Sequence, residues 1–204
     1  MMTLPRLYPI LDPALFPDAE SFYRAAAELA AGGAMLLQYR NKSEKAKQIL
    51  AQALELKLRL GTSLKLIMND RADLCLAADF DGVHVGQDDL SPQAVRGVIG
   101  DRLWLGVSTH NPEQLARADQ TTANYLAIGP VFPTASKARP DPAIGLEGLR
   151  RARGLTRKPL VAIGGITRAN CREVIQAGAD AVAVISDLLP APRKSAEEFL
   201  RILG

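Results

Sequence analysis

The stretch PLVAIGGITRANCREVIQAGADAVAVIS, residues 159 to 186, decides the fold. Two short aliphatic runs, PLVAIGG at 159 to 165 and AVAVIS at 181 to 186, enclose a helical segment that Gly178 closes just before the second run begins. Aliphatic runs separated by a helix and two turns are the pattern of a strand, a crossover helix and a parallel strand. Working outward, the same pattern recurs in LYPIL at 7 to 11, MLLQYR at 35 to 40, LKLIMN at 64 to 69, GVHVG at 82 to 86, WLGVST at 104 to 109 and YLAIGP at 125 to 130. The starts of these eight runs are 28, 29, 18, 22, 21, 34 and 22 residues apart. Every interval holds a helix and two turns, and the smallest allows only a short helix.

The punctuation agrees with the spacing. Residues 19 to 31 and 44 to 60 carry apolar positions at helical intervals. Ser91-Pro92 and Asn111-Pro112 each place a capping residue before a proline at the first helical turn. Gly32-Gly33, Gly61, Gly100 and Gly178 stand where helices must close. Eight strand-helix units predict a compact (β/α)8 TIM barrel as a single domain over 1 to 204, since open doubly wound sheets more often use five or six strands. The longest connection, 131 to 146, is proline-rich and fits a ligand loop or an irregular surface loop.

Composition narrows the function classes. The 204 residues are 48% hydrophobic and 23% charged, which disfavours disorder, and only 5% aromatic, which suits aliphatic layers better than a base-stacking surface. A net charge of +3 is compatible with anionic ligands and too mild to indicate nucleic acid. Cys75 and Cys171 are isolated, so reduced buried thiols are expected rather than a zinc site or disulfide. The first residues lack a secretory pattern and no apolar run reaches ~18 residues, so a cytoplasmic protein without a membrane span is expected.

Barrel geometry gathers at one mouth the residues that follow each strand. These are Gln38, Arg40 and Lys42, then Asn69 and Asp70, Asp88 and Asp89, and Ser108, Thr109 and His110, followed by Thr134, Ser136 and Lys137, Gly164 and Gly165, and Ser186. Asn69-Asp70 alone fits a helix cap, and Gln87-Asp88-Asp89 alone fits a solvated turn. Yet Asp70 and Asp89 follow consecutive strands, where two hard oxygen ligands can share Mg²⁺ beside a diphosphate. Arg40, Lys42 and Lys137 would offset the remaining negative charge. Gly164-Gly165 fits either a tight turn or a phosphate cradle, and its place after the seventh strand favours the cradle, with Ser186 beside it. His84, inside GVHVG, reads as an interior histidine, whereas His110 is nearer the mouth or caps a helix. Arg150, Arg151, Arg153, Arg157 and Lys158 precede the seventh strand and read as solvated charge at the opposite end.

Taken in order, QYRNK at 38 to 42, MNDRADL at 68 to 74, DGVHVGQDDL at 81 to 90, LGVSTH at 105 to 110, IGPVFPTASK at 128 to 137, VAIGGI at 161 to 166 and AVAVIS at 181 to 186 resemble the thiamine-phosphate synthase family over nearly the whole chain. The resemblance implies a Mg²⁺-dependent transferase. It would join 4-amino-5-hydroxymethyl-2-methylpyrimidine diphosphate to a thiazole phosphate, or its carboxylated form, giving thiamine phosphate and diphosphate. It further implies that Gln38, Tyr39, Arg40, Asn41, Lys42, Asn69, Ser108 and Lys137 serve the pyrimidine diphosphate, and that Asp70 and Asp89 hold Mg²⁺. Thr134, Ala135, Ser136, Gly165, Ile185 and Ser186 would serve the thiazole phosphate. Arg40, Lys42 and Lys137 would be the catalytic charges on a departing diphosphate, with a stabilised pyrimidinylmethyl cation attacked by the thiazole nitrogen. Two departures are mild: Ser136 stands where many relatives have threonine, and Asn41 where an acid is common. The alternatives are a thiazole tautomerase of the same fold, using a histidine near His110, and a noncatalytic sensor of phosphate ligands. Small-molecule substrates are the expected partners, with no nucleic acid or membrane and with a homo-oligomer possible.

Overall fold

The computed structural model describes residues 4–134 and 141–204. Its strands are β1 (Leu7–Leu11), β2 (Leu36–Tyr39), β3 (Lys65–Asn69), β4 (Gly82–Val85), β5 (Trp104–Thr109), β6 (Tyr125–Ile128), β7 (Leu160–Ile163) and β8 (Ala181–Val184). The intervening helices are α1 (Ala19–Ala31), α2 (Ala46–Leu60), α3 (Ala72–Ala77), α4 (Pro92–Ile99), α5 (Pro112–Asp119), α6 (Gly145–Leu155), α7 (Cys171–Gln176) and α8 (Pro192–Leu203). Each strand pairs in parallel with its sequence neighbour, and β8 returns to β1 through Leu7↔Val182 and Pro9↔Val184, closing the barrel.

Strand periodicity creates two cores. Tyr8, Ile10, Ile67, Tyr125 and Val161 point inward and fill the barrel, while Leu7, Leu37, Leu66, Leu105 and Leu126 point outward against the helices. The helices return the favour with one apolar stripe each: α1 buries Phe22, Ala26 and Leu29, and a fully buried Phe or Leu contributes roughly 2 kcal/mol by area.

The caps act as the sequence predicts. Ser91 Oγ accepts from Ala94 N–H at 3.2 Å, and Asn111 Oδ1 accepts from Gln114 N–H at 2.9 Å. Gly61 and Gly100 close their helices at φ +58° and +66°, a region side-chain-bearing residues avoid. The 18-residue interval is met by α3, only 6 residues long.

The runs LYPIL, LKLIMN and WLGVST end where their strands end, whereas the others overstate the strands at their C-terminal ends. β7 stops at Ile163 because Gly164 and Gly165 turn to φ +98° and +63°, and β8 stops at Val184, before a short 3-10 turn over Ser186–Leu188. Those trimmed residues form the rim of the mouth.

Cys75 and Cys171 are free and buried, and burial pushes the Cys75 thiol up to about 12, which removes it as a nucleophile. The basic run has structural partners as well as solvent: Arg153 bonds Asp180 at 2.7 Å, and Lys158 Nζ donates to Thr121 O at 2.6 Å. Among the described residues, no helix is long and apolar enough to cross a membrane. Leu54 and Leu58 lie one turn apart on the exposed side of α2.

Candidate active site at the barrel mouth

Alternation along β1 and β2 decides which residues reach the mouth. Ile10 registers with Gln38, so the next inward positions, Asp12 and Arg40, also face each other. They form an ion pair, with Arg40 Nη1 donating to Asp12 Oδ2. Asp12 Oδ1 also accepts from Ala14 N–H at 3.0 Å, which fixes the carboxylate. The sequence signal for Asp12 is its place directly after LYPIL, where the first strand reaches the mouth.

Tyr39 and Asn41 have the opposite parity. Tyr39 is fully buried among Phe22 and Phe80 in the helix layer, and its hydroxyl donates to Gln52 Oε1 at 2.7 Å. Asn41 Nδ2 donates to the same Gln52 oxygen at 2.9 Å, while its Oδ1 accepts from Ser43 N–H and Glu44 N–H at 3.2 Å each. The side chains of Tyr39 and Asn41 therefore brace the loop after β2 and do not line the mouth. These side-chain bonds give Tyr39 and Asn41, both expected to serve the substrate, a role in holding the loop that carries Arg40 and Lys42.

The acidic centre comes from β3 and the loop after β4. Asp70 adopts φ +62°, an arrangement that costs a non-glycine residue about 1–2 kcal/mol. Its N–H donates to His84 O at 2.8 Å, which holds it against β4. Burial pushes the Asp70 carboxyl above the usual carboxylate range, and the neighbouring Asp89 carboxyl, within hydrogen-bond reach, pushes the same way. Lys42 Nζ, 3.0 Å from Asp70 Oδ2, acts in opposition. Asp89 Oδ2 accepts from Gly86 N–H at 2.8 Å. Two crowded carboxylates form a donor set that suits a hard divalent cation, with Lys42 beside one of them. Asp88 is exposed and stands outside this group. Asn69, inward-facing and partly exposed, has no side-chain hydrogen-bond partner among the described residues.

On β4, beside the acidic centre, His84 is buried as expected, and burial lowers its pKa to about 4. It bonds Ser108 Oγ through Nε2 at 2.7 Å and Tyr125 Oη through Nδ1 at 3.0 Å. Gln87 Nε2 donates to Ser108 O at 2.7 Å, tying the acidic loop to β5. Thr109 is buried and bonds Ala127 O at 2.8 Å, outside the mouth. His110 Nδ1 sits 2.7 Å from Gly129 O and 3.6 Å from Asp141 Oδ2.

The glycines after β7 are required by the connection after β6. A methyl on Gly164 would lie 2.4 Å from Pro130 Cβ, and one on Gly165 would lie 2.6 Å from Pro133 O. Val131 N–H and Phe132 N–H bond Ile163 O and Gly164 O at 2.8 and 3.0 Å, so this connection is laid directly over the end of β7. Ile185 and the exposed Ser186 follow the adjacent β8, and Thr134 is partly buried at the rim. Arg168 bonds Asp187 at 3.0 Å and Glu198 at 2.5 Å, bracing the last two loops against α8. Ala135, Ser136 and Lys137 lie outside the described residues.

Comparison with known proteins matches residues 7–188 to a family model described as thiamine monophosphate synthase. The thiamine-phosphate synthase of Koribacter versatilis is 59% identical over 205 residues, covering 99% of this chain and 97% of that protein. That of Chloroflexus aurantiacus is 45% identical, covering 91% and 86%. A solved thiamine phosphate pyrophosphorylase from Pyrococcus furiosus superposes with a TM-score of 0.86 at 35% identity, covering 97% of this chain and 95% of that one.

Proposed function

The chain belongs to the thiamine monophosphate synthase family and condenses a pyrimidine with a thiazole moiety to form thiamine phosphate; from that premise we propose how its barrel mouth performs the reaction. The observation that carries the proposal is the grouping of Asp70, Asp89 and Lys42 at one rim, with Asp12 presenting Arg40 nearby. Asp70 and Asp89 would hold Mg²⁺, which the raised Asp70 carboxyl and its crowding by Asp89 support as a cation site. The bound ion would neutralise charge on the diphosphate.

The protein's own groups do the rest by position and charge. Arg40 and Lys42 stabilise the negative charge that grows on the leaving diphosphate, joined by Lys137 from the connection after β6. The bond between the pyrimidine methylene carbon and the diphosphate oxygen breaks, and the electron pair leaves with the oxygen. The thiazole nitrogen then donates its lone pair to that carbon, so no protein nucleophile or base is consumed. Gln38, Asn69 and Ser108 orient the pyrimidine. The backbone at Gly165, Ile185 and Ser186, with Thr134 and Ser136, receives the thiazole phosphate. Holding both rings together replaces an encounter in solution with an attack inside one complex.

The test mixes purified protein with the pyrimidine diphosphate, the thiazole phosphate and Mg²⁺ and measures thiamine phosphate and diphosphate. Equal amounts of the two products are expected, with activity lost on chelation and restored by Mg²⁺. Coupling that persists unchanged after complete chelation would remove the metal from the account.

A further inference from the structure

A single chain of side-chain hydrogen bonds crosses the barrel interior from one side of the mouth to the other. Gln38 Nε2 donates to Tyr8 Oη at 2.9 Å, Tyr8 Oη meets Tyr125 Oη at 2.8 Å, Tyr125 Oη meets His84 Nδ1 at 3.0 Å, and His84 Nε2 meets Ser108 Oγ at 2.7 Å. The three central side chains are buried, Tyr8 and Tyr125 to within 1% of complete. Gly106 on β5 makes room for them: a methyl there would lie 2.1 Å from Tyr125 Cζ and 2.4 Å from His84 Nδ1.

Counting hydrogens gives the chain a direction. Each phenol has one hydrogen, and a neutral imidazole has one N–H and one acceptor nitrogen. Because Gln38 donates to Tyr8, the Tyr8 hydrogen is available to Tyr125, the Tyr125 hydrogen passes to His84 Nδ1, and the imidazole hydrogen sits on Nε2 and faces Ser108. A doubly protonated His84 would make Tyr125 donate back to Tyr8, leaving the Tyr8 hydrogen buried without an acceptor, a costly defect. With a neutral imidazole, only full reversal, with Gln38 offering its oxygen to Tyr8, is equally satisfied, and burial disfavours the charged ring. The two directions are therefore all-or-none, and the orientation of Gln38 selects one.

We propose that Tyr8, Tyr125 and His84 are positioning residues that set the polarity of the two ends as one unit. Gln38 presents its carbonyl oxygen to the mouth and Ser108 presents its hydroxyl hydrogen. A ring lying between them, with an amino N–H turned to Gln38 and a ring-nitrogen acceptor turned to Ser108, fits that pair, whereas an oxo ring offers a carbonyl and a ring N–H, the reverse. The inference rests on Gln38 and Ser108 serving the pyrimidine, as argued above, and makes this interior chain the device that discriminates the amino ring from its oxo counterpart.

The direct test is the His84 tautomer in ligand-free, ¹⁵N-labelled protein near neutral pH, read from the long-range couplings of the ring nitrogens to the ring protons. The Nε2–H form is expected, and the Nδ1–H form would overturn the proposal. The functional test compares kcat/KM for the amino and oxo pyrimidine diphosphates. Tyr125→Phe should narrow the wild-type preference about tenfold, the factor that one lost hydrogen bond supports. A merely structural lesion would slow both substrates alike, so an unchanged ratio in a folded variant also defeats the idea. Should Tyr125→Phe fail to fold, Tyr8→Phe interrupts the same chain and takes its place. Absence of any coupled product in the wild type would count against the function itself, and the tautomer would then decide the chain alone.

Discussion

Lys42 Nζ lies 3.0 Å from Asp70 Oδ2, so the carboxylate proposed to hold a metal already has a cation beside it. Lys42 is more than half exposed and sits on a long stem, which leaves it free to turn from the carboxylate to a diphosphate when the metal arrives. Lysine and metal thus compete for Asp70 until substrate gives the lysine another anion. Lys42→Met should therefore tighten binding of Mg²⁺ alone by several-fold while lowering kcat by ~10²-fold or more. Calorimetry without substrate reads the first effect, and weaker metal binding by the variant would contradict the competition.

Asp70 also makes a signed prediction for stability. Its folded pKa lies above the unfolded carboxylate value of about 3.9, so the folded protein holds that proton more tightly and loses stability as pH rises through the raised value. Asp70→Asn should raise Tm at neutral pH without metal, and the gain should vanish in acid where both carboxyls are protonated. The same variant should lose essentially all coupling activity. A variant less stable than wild type at neutral pH would show that Asp70 is held there by something other than functional demand.

His84 acts in the opposite direction. With a folded pKa of about 4 against an unfolded value near 6.5, the unfolded chain takes up a proton that the folded chain refuses. Its contribution is complete above pH ~6.5 and is lost as pH falls, to the extent of about 3 kcal/mol by pH 4. Denaturant melts across that window should show a slope that His84→Asn flattens.

Asp12 is expected to work through Arg40. Asp12→Asn keeps the shape but removes the charge that holds the guanidinium, and kcat should fall ~10-fold with little change in fold. Arg40→Ala should cost more. In the double variant the Asp12 effect should disappear, because an absent arginine needs no partner. Simple multiplication of the two losses would separate the residues.

Tyr39→Phe provides the contrast. Losing the hydroxyl that bonds Gln52 should cost roughly 1 kcal/mol of stability and leave kcat/KM within about twofold of wild type. A large kinetic defect at unchanged stability would return Tyr39 to the substrate side.

The barrel was legible because it rests on patterns that sequence carries directly: aliphatic runs at regular spacing, Ser91-Pro92 and Asn111-Pro112 at helix starts, and glycines at helix ends. Alternation along β2 is equally readable, and within QYRNK it separates inward Gln38 and Arg40 from outward Tyr39. What the sequence concealed was pairing across the barrel. Tyr8 and Tyr125 look like ordinary strand residues until closure brings their hydroxyls to 2.8 Å. Asp12 looks like a turn residue until the register of β1 on β2 sets it against Arg40. Gly164-Gly165 meets its tight-turn reading, since the approach to Pro130 and Pro133 leaves no room for a side chain at either position.

The bond between Tyr8 and Tyr125 also places the site in time. Its partners are 117 residues apart, and at roughly 5–20 residues per second a ribosome needs some 6 to 23 s to deliver the second after the first. By the end of that interval the QYRNK segment, Asp70 and Asp89 have all been synthesised, yet without Tyr125 the chain cannot set the direction in which Gln38 and Ser108 read a ring. Chains abandoned before β6 lack both this relay and the strands that close the barrel, so substrate choice belongs only to molecules whose synthesis has passed Tyr125.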